Sequence, residues 1–142
     1  MSTDDAPPAA VADYLRAHGI DFTVFCNVIV FRPGVGGRSY HYMCMAEDSL
    51  VLFVGHKLGH VLPEQRAAVL DVLNRRNEAV MLGNWNLNDR DGNINHPVGL
   101  VRDRDDVGPS VAAIDLCIAS IMHELQETAS ALAGIPVDIG TA

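Results

Sequence analysis

Strand-type segments joined by short turns are the feature of this sequence that most restricts its fold. Residues 21–31 are rich in β-branched and aromatic side chains and end at a Pro-Gly-Val-Gly-Gly turn, 33–37. Residues 38–45 and 50–54 follow as two further predicted strands with a short turn between them. Parallel neighbours need a crossover of about a dozen residues or more, so these short connections predict antiparallel pairing. We therefore expect a three-stranded antiparallel meander.

Three segments carry the signals of helices. Residues 9–18 have apolar side chains at helical spacing and are followed by Gly19, a common helix stop. Residues 62–77 begin with proline and an acid in the first turn, where both are favoured. Residues 109–133 begin with Pro-Ser and end before Gly134, and they form the longest predicted helix.

A second hairpin is predicted between the last two helices. Its strands are 80–87 and 93–101, its turn is 89–92, and Pro97 favours an edge strand or a bulge. The turn resembles part of a calcium-binding loop, but apolar residues stand at the first and last ligand positions, so the hairpin is the better interpretation. The resulting fold class is α+β: an antiparallel β-sheet with flanking helices in the order α-β-β-β-α-β-β-α.

The length of the chain indicates one domain. With 142 residues, a single domain buries roughly 68–70% of the surface that its unfolded chain exposes. We expect an N-terminal disordered tail at 1–6, a domain at 7–136 and a C-terminal tail at 137–142. No basic stretch followed by an apolar run opens the sequence, so no signal peptide is predicted and a bacterial cytoplasmic location is expected.

The charge of the chain argues against several classes of partner. Eighteen acidic and ten basic residues give a net charge of −8, which disfavours attraction to nucleic-acid phosphates and to anionic lipids. The basic clusters, Arg75-Arg76 and Arg102-Asp-Arg104, are flanked or interleaved by acids. Direct nucleic-acid binding and membrane binding are therefore not expected, and no apolar run of 18 residues could span a bilayer.

Candidate metal ligands and nucleophiles do not form a recognisable site. His56 and His60 are four residues apart, but glycines surround them and indicate a loop, and the glutamate of the zinc-protease signature is absent. His41 and Cys44 could complete a ligand set only if they pointed to the same face, and their strand parity is opposite. Cys26, Cys44 and Cys117 are predicted to be buried, inert thiols. We predict no cofactor, no metal and no enzymatic activity.

The long C-terminal helix carries an apolar seam with additional apolar surface beside it. The seam consists of Val111, Ile114, Ile118, Ile121, Leu125, Thr128 and Leu132. Leu116, Cys117 and Met122 widen it. One interpretation is a wide stripe buried against the sheet; the other is that this surplus, or similar surface on another element, contacts a second subunit.

A short motif links the middle helix to the second hairpin. The helix ends in Leu73-Asn74-x-x-Asn77, a strand with Gly83 and Trp85 follows, and an Asp-Gly turn ends at Gly92. This motif, together with the order of elements, resembles the YbjN family, whose fold is that of type III secretion chaperones. The likeness covers residues 61–135, and the motif residues have structural rather than catalytic side-chain chemistry. The resemblance implies a dimeric, non-enzymatic protein that binds other polypeptides.

The favoured hypothesis is a homodimeric adaptor, regulator or chaperone-like protein with an unidentified protein partner. A partner segment would bind along a sheet edge or an apolar groove. The residues proposed for that surface are Tyr14, Phe22, Phe25 and Ile29. Two alternatives stay open. One is an accessory protein of DNA repair or nucleic-acid metabolism that acts through a protein partner; the other is a small metal-dependent enzyme that uses His56, His60 and Cys44.

Overall fold

One antiparallel sheet organises the protein. The computed structural model describes residues 8–47, 50–101 and 109–142. The helices are α1 (Ala9–Ala17), α2 (Arg66–Ala79) and α3 (Val111–Ala131), and a 3-10 turn at Pro63–Gln65 precedes α2. The strands are β1 (Phe22–Phe25), β2 (Val28–Phe31), β3 (Gly34–Val35), β4 (Arg38–Ser39), β5 (Tyr42–Glu47), β6 (Leu50–His60), β7 (Asn86–Leu87) and β8 (Asn93–Val101). The sheet has the order β1-β2-β5-β6-β8-β7, and β3 and β4 form a separate small hairpin. The predicted α+β class is confirmed.

The first predicted strand is a hairpin rather than a single strand. The chain reverses at Cys26 and Asn27, and Phe25 pairs with Val28 across this two-residue turn. Cys26 adopts a left-handed conformation with φ 57°. The apolar run that continues on both sides of Cys-Asn concealed the turn, because neither residue is a glycine or a proline. The sheet therefore has four strands, not three, before α2.

Strand β6 is twice as long as predicted, because it continues through the glycine-rich segment to His60. The pairing with β8 shifts between Gly55 and Gly59, and Lys57 in this bulge has φ 50°. Position 55 requires glycine, because the Cβ of any other residue would lie 2.7 Å from Cζ of Tyr42. The loop predicted around His56 and His60 is therefore wrong; the glycines accommodate a neighbouring ring and a bulge within a strand.

The second hairpin has unequal strands. Strand β8 has the predicted bounds, whereas β7 comprises only Asn86 and Leu87. The chain before β7 cannot continue the pairing, because Gly83 has φ 74° and a Cβ there would lie 2.6 Å from the carbonyl oxygen of Pro97. The prediction that Pro97 marks an edge strand is wrong: β8 lies between β6 and β7, Pro97 pairs with Val54 of β6, and its carbonyl oxygen accepts a hydrogen bond from the backbone N–H of Asn84. The strand tolerates the proline because Pro97 lies beyond the residues of β8 that pair with β7.

All three helices pack on one face of the sheet. The core joins buried residues of α1, α2 and α3 to alternate residues of β2, β5, β6 and β8. From the sheet these are Ile29, Phe31, Tyr42, Cys44, Val51, Phe53, Leu58, Ile94, His96 and Val98. The opposite face, which we call the outer face, contributes nothing to this core in the described part of the chain.

Helix α3 buries most of the predicted seam. The hydroxyl of Ser110 accepts a hydrogen bond from the backbone N–H of Ala113 and caps the helix as predicted. Ile114, Ile118, Ile121, Leu125, Thr128 and Leu132 are buried. Val111 is 67% exposed and Leu116 is 62% exposed, so the seam begins at the second of its predicted members.

The last residues of the chain lie against the domain. In 137–142, predicted as a tail, the Gly140 N–H donates to the Leu58 carbonyl, and Thr141 bridges to Ser39. Ile139 is buried, and the Arg38 side chain donates to its carbonyl oxygen. The predicted N-terminal tail, 1–6, lies outside the described residues.

Candidate functional site

The motif residues hold α2, the second hairpin and α3 together. The Asn77 amide oxygen accepts from the backbone N–H of Trp85 at 2.6 Å, and its amide nitrogen donates to the Trp85 carbonyl at 2.8 Å. Leu73 is buried, Asn74 is exposed, and the Cβ of any residue replacing Gly92 would lie 2.5 Å from the Val61 carbonyl oxygen. The side chain of Asn77 thus replaces a strand partner for the Trp85 backbone, which is a structural task.

A carboxylate is buried between α2, α3 and this hairpin. Glu124 is 3% exposed, and its oxygens accept hydrogen bonds from Trp85 Nε1 at 3.1 Å and Arg76 at 2.7 Å. The pairing compensates for the loss of hydration of the carboxylate, since buried charges persist only when paired and hydrogen-bonded. No substrate-accessible acid or base results, because all three groups are engaged with each other.

A second polar pair lies beside it in the core. The Tyr42 hydroxyl is 2.8 Å from Nδ1 of His96, whose ring stacks on Trp85 with centroids 4.2 Å apart. Nε2 of His96 is buried and has no hydrogen-bond partner among the described residues. Burial lowers the pKa of His96 to about 4, against the opposing effect of Glu124, and burial raises the pKa of Tyr42 well above its usual range. Both groups are therefore neutral at pH 7.

The thiols divide into two inert groups and one exposed group. Cys44 and Cys117 are buried, and burial raises the pKa of Cys117 to about 12 and that of Cys44 further. Cys26 is exposed at the tip of the β1–β2 hairpin, so the prediction that all three cysteines are buried is wrong for this one. None of the buried thiols is poised for nucleophilic catalysis.

The histidines proposed for a metal-dependent enzyme do not form a ligand set. His56 and His60 belong to β6, His56 within its bulge and His60 after it, and Cys44 points into the core. Among the described residues, no group of three or more His, Cys, Asp or Glu side chains is arranged to hold a metal ion.

The basic clusters also have local partners. Arg76 pairs with Glu124 across the helix interface, and Arg75 pairs with Asp71 one turn away on α2. Arg102 and Arg104 lie outside the described residues. No helix in the described part of the chain is long and apolar enough to cross a membrane.

The four residues proposed for a protein-binding surface occupy different environments. Tyr14 and Ile29 are buried in the core, and the Tyr14 hydroxyl donates to Asp115 of α3. Phe22 is half-buried under the Arg16 guanidinium, whereas Phe25 is 75% exposed. Phe25 is therefore the member of this set that is available for contact with another molecule.

Strand β1 presents an open edge next to a cavity. It is the first strand of the sheet, and no described strand pairs with its outer side. Because Phe25 and Val28 close a two-residue turn, hydrogen-bonded pairs alternate from there, and the N–H and C=O of Val24 point to the open edge. A cavity of about 550 Å³ adjoins the strand; its walls include Ile20, Asp21, Phe22, Phe31, Arg32, Ile118 and Met122. Sequence reasoning proposed Phe22 and Phe25 of this strand for the surface, but it did not predict the hairpin at Cys26 and Asn27 that makes β1 an edge strand.

The outer face of the sheet is the second apolar surface. Its residues alternate with the core residues along four adjacent strands: Val28, Val30, Met43, Met45, Leu52, Val54, Pro97 and Gly99. These eight positions carry no charged or hydrogen-bonding side chain, and none belongs to or packs against the core; the polar residues His56 and Asn95 continue the same alternation at one end of the face. Leu50, 40% exposed, and Phe25 extend the surface at one end. A contiguous apolar patch of this kind is typical of an interaction surface.

Comparison with known proteins identifies the fold. No protein family matches the sequence, and no curated protein is similar to it in sequence. Among solved structures, the crystal structure of YbjN from E. coli, described as a candidate transcription regulator, superimposes with a TM-score of 0.66 at 11% sequence identity. The match covers 91% of this chain and 93% of that one. The chain therefore has a YbjN-like fold, as the motif and the order of elements predicted.

Proposed function

We propose that this protein is a non-enzymatic, homodimeric regulator or adaptor that binds a segment of another polypeptide at the open edge of β1. The observation that carries the proposal is an unpaired strand edge with exposed apolar side chains beside a cavity of about 550 Å³. Val24 and Phe25 are 49% and 75% exposed. An extended peptide that pairs with an edge gains main-chain hydrogen bonds, and pockets beside the edge select its side chains.

The chemistry of the cavity defines the partner. Its apolar walls suit a branched or aromatic side chain, and Asp21 and Arg32 at its margin can hydrogen-bond to a polar neighbour. The YbjN-like fold supports the general role, since the E. coli protein is described as a candidate regulator. With a net charge of −8, we expect regulation through a protein partner in the cytoplasm rather than through contact with DNA.

A peptide library tests the edge directly. Random 12-residue peptides displayed on phage are selected against the purified protein, and enriched peptides are expected to carry apolar residues at alternate positions. The variant Val24→Pro removes the N–H that faces the edge without touching the β1–β2 ladder. It should lower the affinity for a selected peptide by roughly tenfold or more.

A proline substitution elsewhere provides the matched control. Leu62 is 51% exposed and has φ −66°, which suits proline, so Leu62→Pro should bind the same peptide with unchanged affinity. Amide exchange at Val24 should slow when the peptide is bound. Equal binding by Val24→Pro and the natural protein, or no change in exchange at Val24, would refute the edge site. Light scattering at micromolar concentration tests the homodimer separately.

A further inference from the structure

The outer face lacks the layer that a two-sided apolar sheet needs. Val28, Val30, Met43, Met45, Leu52 and Val54 stand on three neighbouring strands, opposite the helices. A sheet that faces water normally carries polar residues on that side. Each of these six side chains is partly exposed, and none of them packs against the core that the helices cover in the described part of the chain.

The backbone beneath the outer face restricts what can cover it. Strands β2, β5 and β6 each have a hydrogen-bonded neighbour on both sides. An extended peptide laid across them would find no backbone partner, and its own N–H and C=O groups would be buried unsatisfied at a cost of roughly 1–3 kcal/mol each. A second β-sheet buries no unsatisfied backbone groups in this position, because its N–H and C=O groups are already hydrogen-bonded between its own strands. Two twisted sheets also pack face to face with their strands at about −30°.

The dimensions of the face suit a pair of identical sheets. With Phe25 of β1 and Leu50 of β6 included, the face spans five strands about 4.8 Å apart and the five residues Leu50 to Val54 of about 3.3 Å each along β6, a projected area of at most roughly 400 Å². Two such faces cover roughly 800 Å² in projection, and because protruding side chains make the accessible surface larger than its projection, the contact approaches the roughly 1,000 Å² at which specific interfaces begin. Because both copies would use the same patch, a two-fold axis relates them and the outer face of each copy covers the outer face of the other.

The position of the charged side chains favours one relative strand direction for the two copies. Arg32, His41 and His56 lie at one end of the outer face, and the His56 N–H donates to the His41 carbonyl. Arg32 and His41 are neighbours on adjacent strands, because they follow and precede the paired residues Phe31 and Tyr42. The pKa of His41 is lowered by its burial and by the charge of Arg32. Two copies whose strands run in opposite directions keep their Arg32 side chains at opposite ends of the interface, where like charges do not meet.

From these observations we infer that the outer face is the homodimer interface, and that a second copy of this chain covers it sheet against sheet. The inference rests on the homodimer of the proposed function and assigns its surface. It leaves the backbone edge of β1 open for a partner segment, because the N–H and C=O groups on that edge lie in the plane of the sheet, whereas the Phe25 side chain stands on the outer face beside Val28.

A lysine substitution within the outer face tests the interface. Met43→Lys would bury two uncompensated ammonium groups in a symmetric dimer, so it should raise the dissociation constant on the order of 100-fold or more. Met81→Lys is the matched control, since Met81 is 94% exposed outside this face, and it should leave the dissociation constant unchanged. Sedimentation equilibrium gives the constants, and thermal unfolding monitors the fold.

A second variant keeps the test informative if Met43→Lys does not fold. Val54→Thr replaces one methyl group with a hydroxyl at nearly constant shape and should weaken the dimer by roughly tenfold. If Met43→Lys and Val54→Thr fold and remain as dimeric as the natural protein, the inference is wrong and the dimer of the proposed function uses another surface. A natural protein that is monomeric at micromolar concentration overturns both the inference and the proposed dimer, whereas peptide binding at β1 is measured independently.

Discussion

Acid should destabilise the protein through His96, which is buried beside Tyr42 and Trp85. Burial holds the pKa of His96 at about 4 in the fold, against 6.5 in an unfolded chain. The folded state therefore keeps His96 neutral at a pH where the unfolded state binds a proton. The contribution of neutral His96 to the free energy of unfolding is present in full above pH 6.5 and is lost as the pH falls from 6.5 to about 4. Below about pH 4 this contribution does not change further.

The structure explains why the protonated form is poorly tolerated. His96 Nδ1 is the one hydrogen-bond partner of the buried Tyr42 hydroxyl among the described residues, so we assign the hydroxyl as the donor and place the ring proton of neutral His96 on Nε2. A proton on Nδ1 would remove this acceptor and would place a charge where Nε2 already lacks a partner. The gap between 6.5 and about 4 corresponds to about 3 kcal/mol at 1.36 kcal/mol for each pKa unit.

Urea unfolding between pH 7 and pH 4 measures this contribution. Thermal unfolding gives a second measurement. With an entropy of unfolding of about 0.3 kcal/mol/K for a domain of this length, a loss of about 3 kcal/mol lowers Tm by roughly 10 °C. His96→Asn keeps an oxygen acceptor for Tyr42 and cannot be protonated, so its stability should fall about 3 kcal/mol less over this range. His123→Asn, at an exposed position of α3, should retain the natural pH dependence. Parallel pH curves for His96→Asn and the natural protein would refute the reasoning.

Three further predictions concern the core. Asn77→Ala removes both hydrogen bonds to the Trp85 backbone, so it should lower the free energy of unfolding, measured in urea, by about 1–3 kcal/mol. The control variant Asn74→Ala, at an exposed position, should change it by less than about 0.5 kcal/mol. Arg76→Met leaves the Glu124 charge buried and should cost about 3 kcal/mol by the same assay, whereas Arg75→Met should cost about 0.5 kcal/mol or less; equal losses would contradict the assigned burial. A thiol reagent should modify one cysteine per folded chain and three in denaturant, and rapid reaction of a buried thiol would count against the thiol environments described.

The sequence predicts most of the architecture because its signals are local. Ser110 caps α3, Gly19 follows the end of α1, and β8 keeps its predicted bounds. The errors arise where tertiary contacts override composition. Glycines at 55 and 59 indicate a loop by composition, yet they belong to β6 because the Tyr42 ring and Ile139 occupy the space beside them. No local signal in the sequence contains the positions of those neighbours.

The candidate sites were less predictable than the fold, because exposure depends on where the helices lie. Tyr14 and Ile29 have the same apolar character as Phe25, but α3 and the core cover them. The open edge of β1 exists only because Cys26 and Asn27 reverse the chain, and this turn lacks a glycine or proline signal. The alternation of side chains along a strand assigns Ile29 and Phe25 to opposite faces of the sheet only once the turn between them is known.

The location of the apolar surplus bears on the two interpretations of α3. The seam is buried at Ile114, Ile118 and Leu125, and of the residues that widen it Cys117 is buried and Met122 half-buried, whereas Leu116 is 62% exposed. The surplus instead lies on β2, β5 and β6, where residues on both sides of each strand are apolar although helices cover one side. Strands of this kind are typical of sheets covered on both faces. Because the described elements cover only one face, the alternation of apolar residues that builds the core also supplies a surface for a second layer, and this is the surface that we propose for self-association.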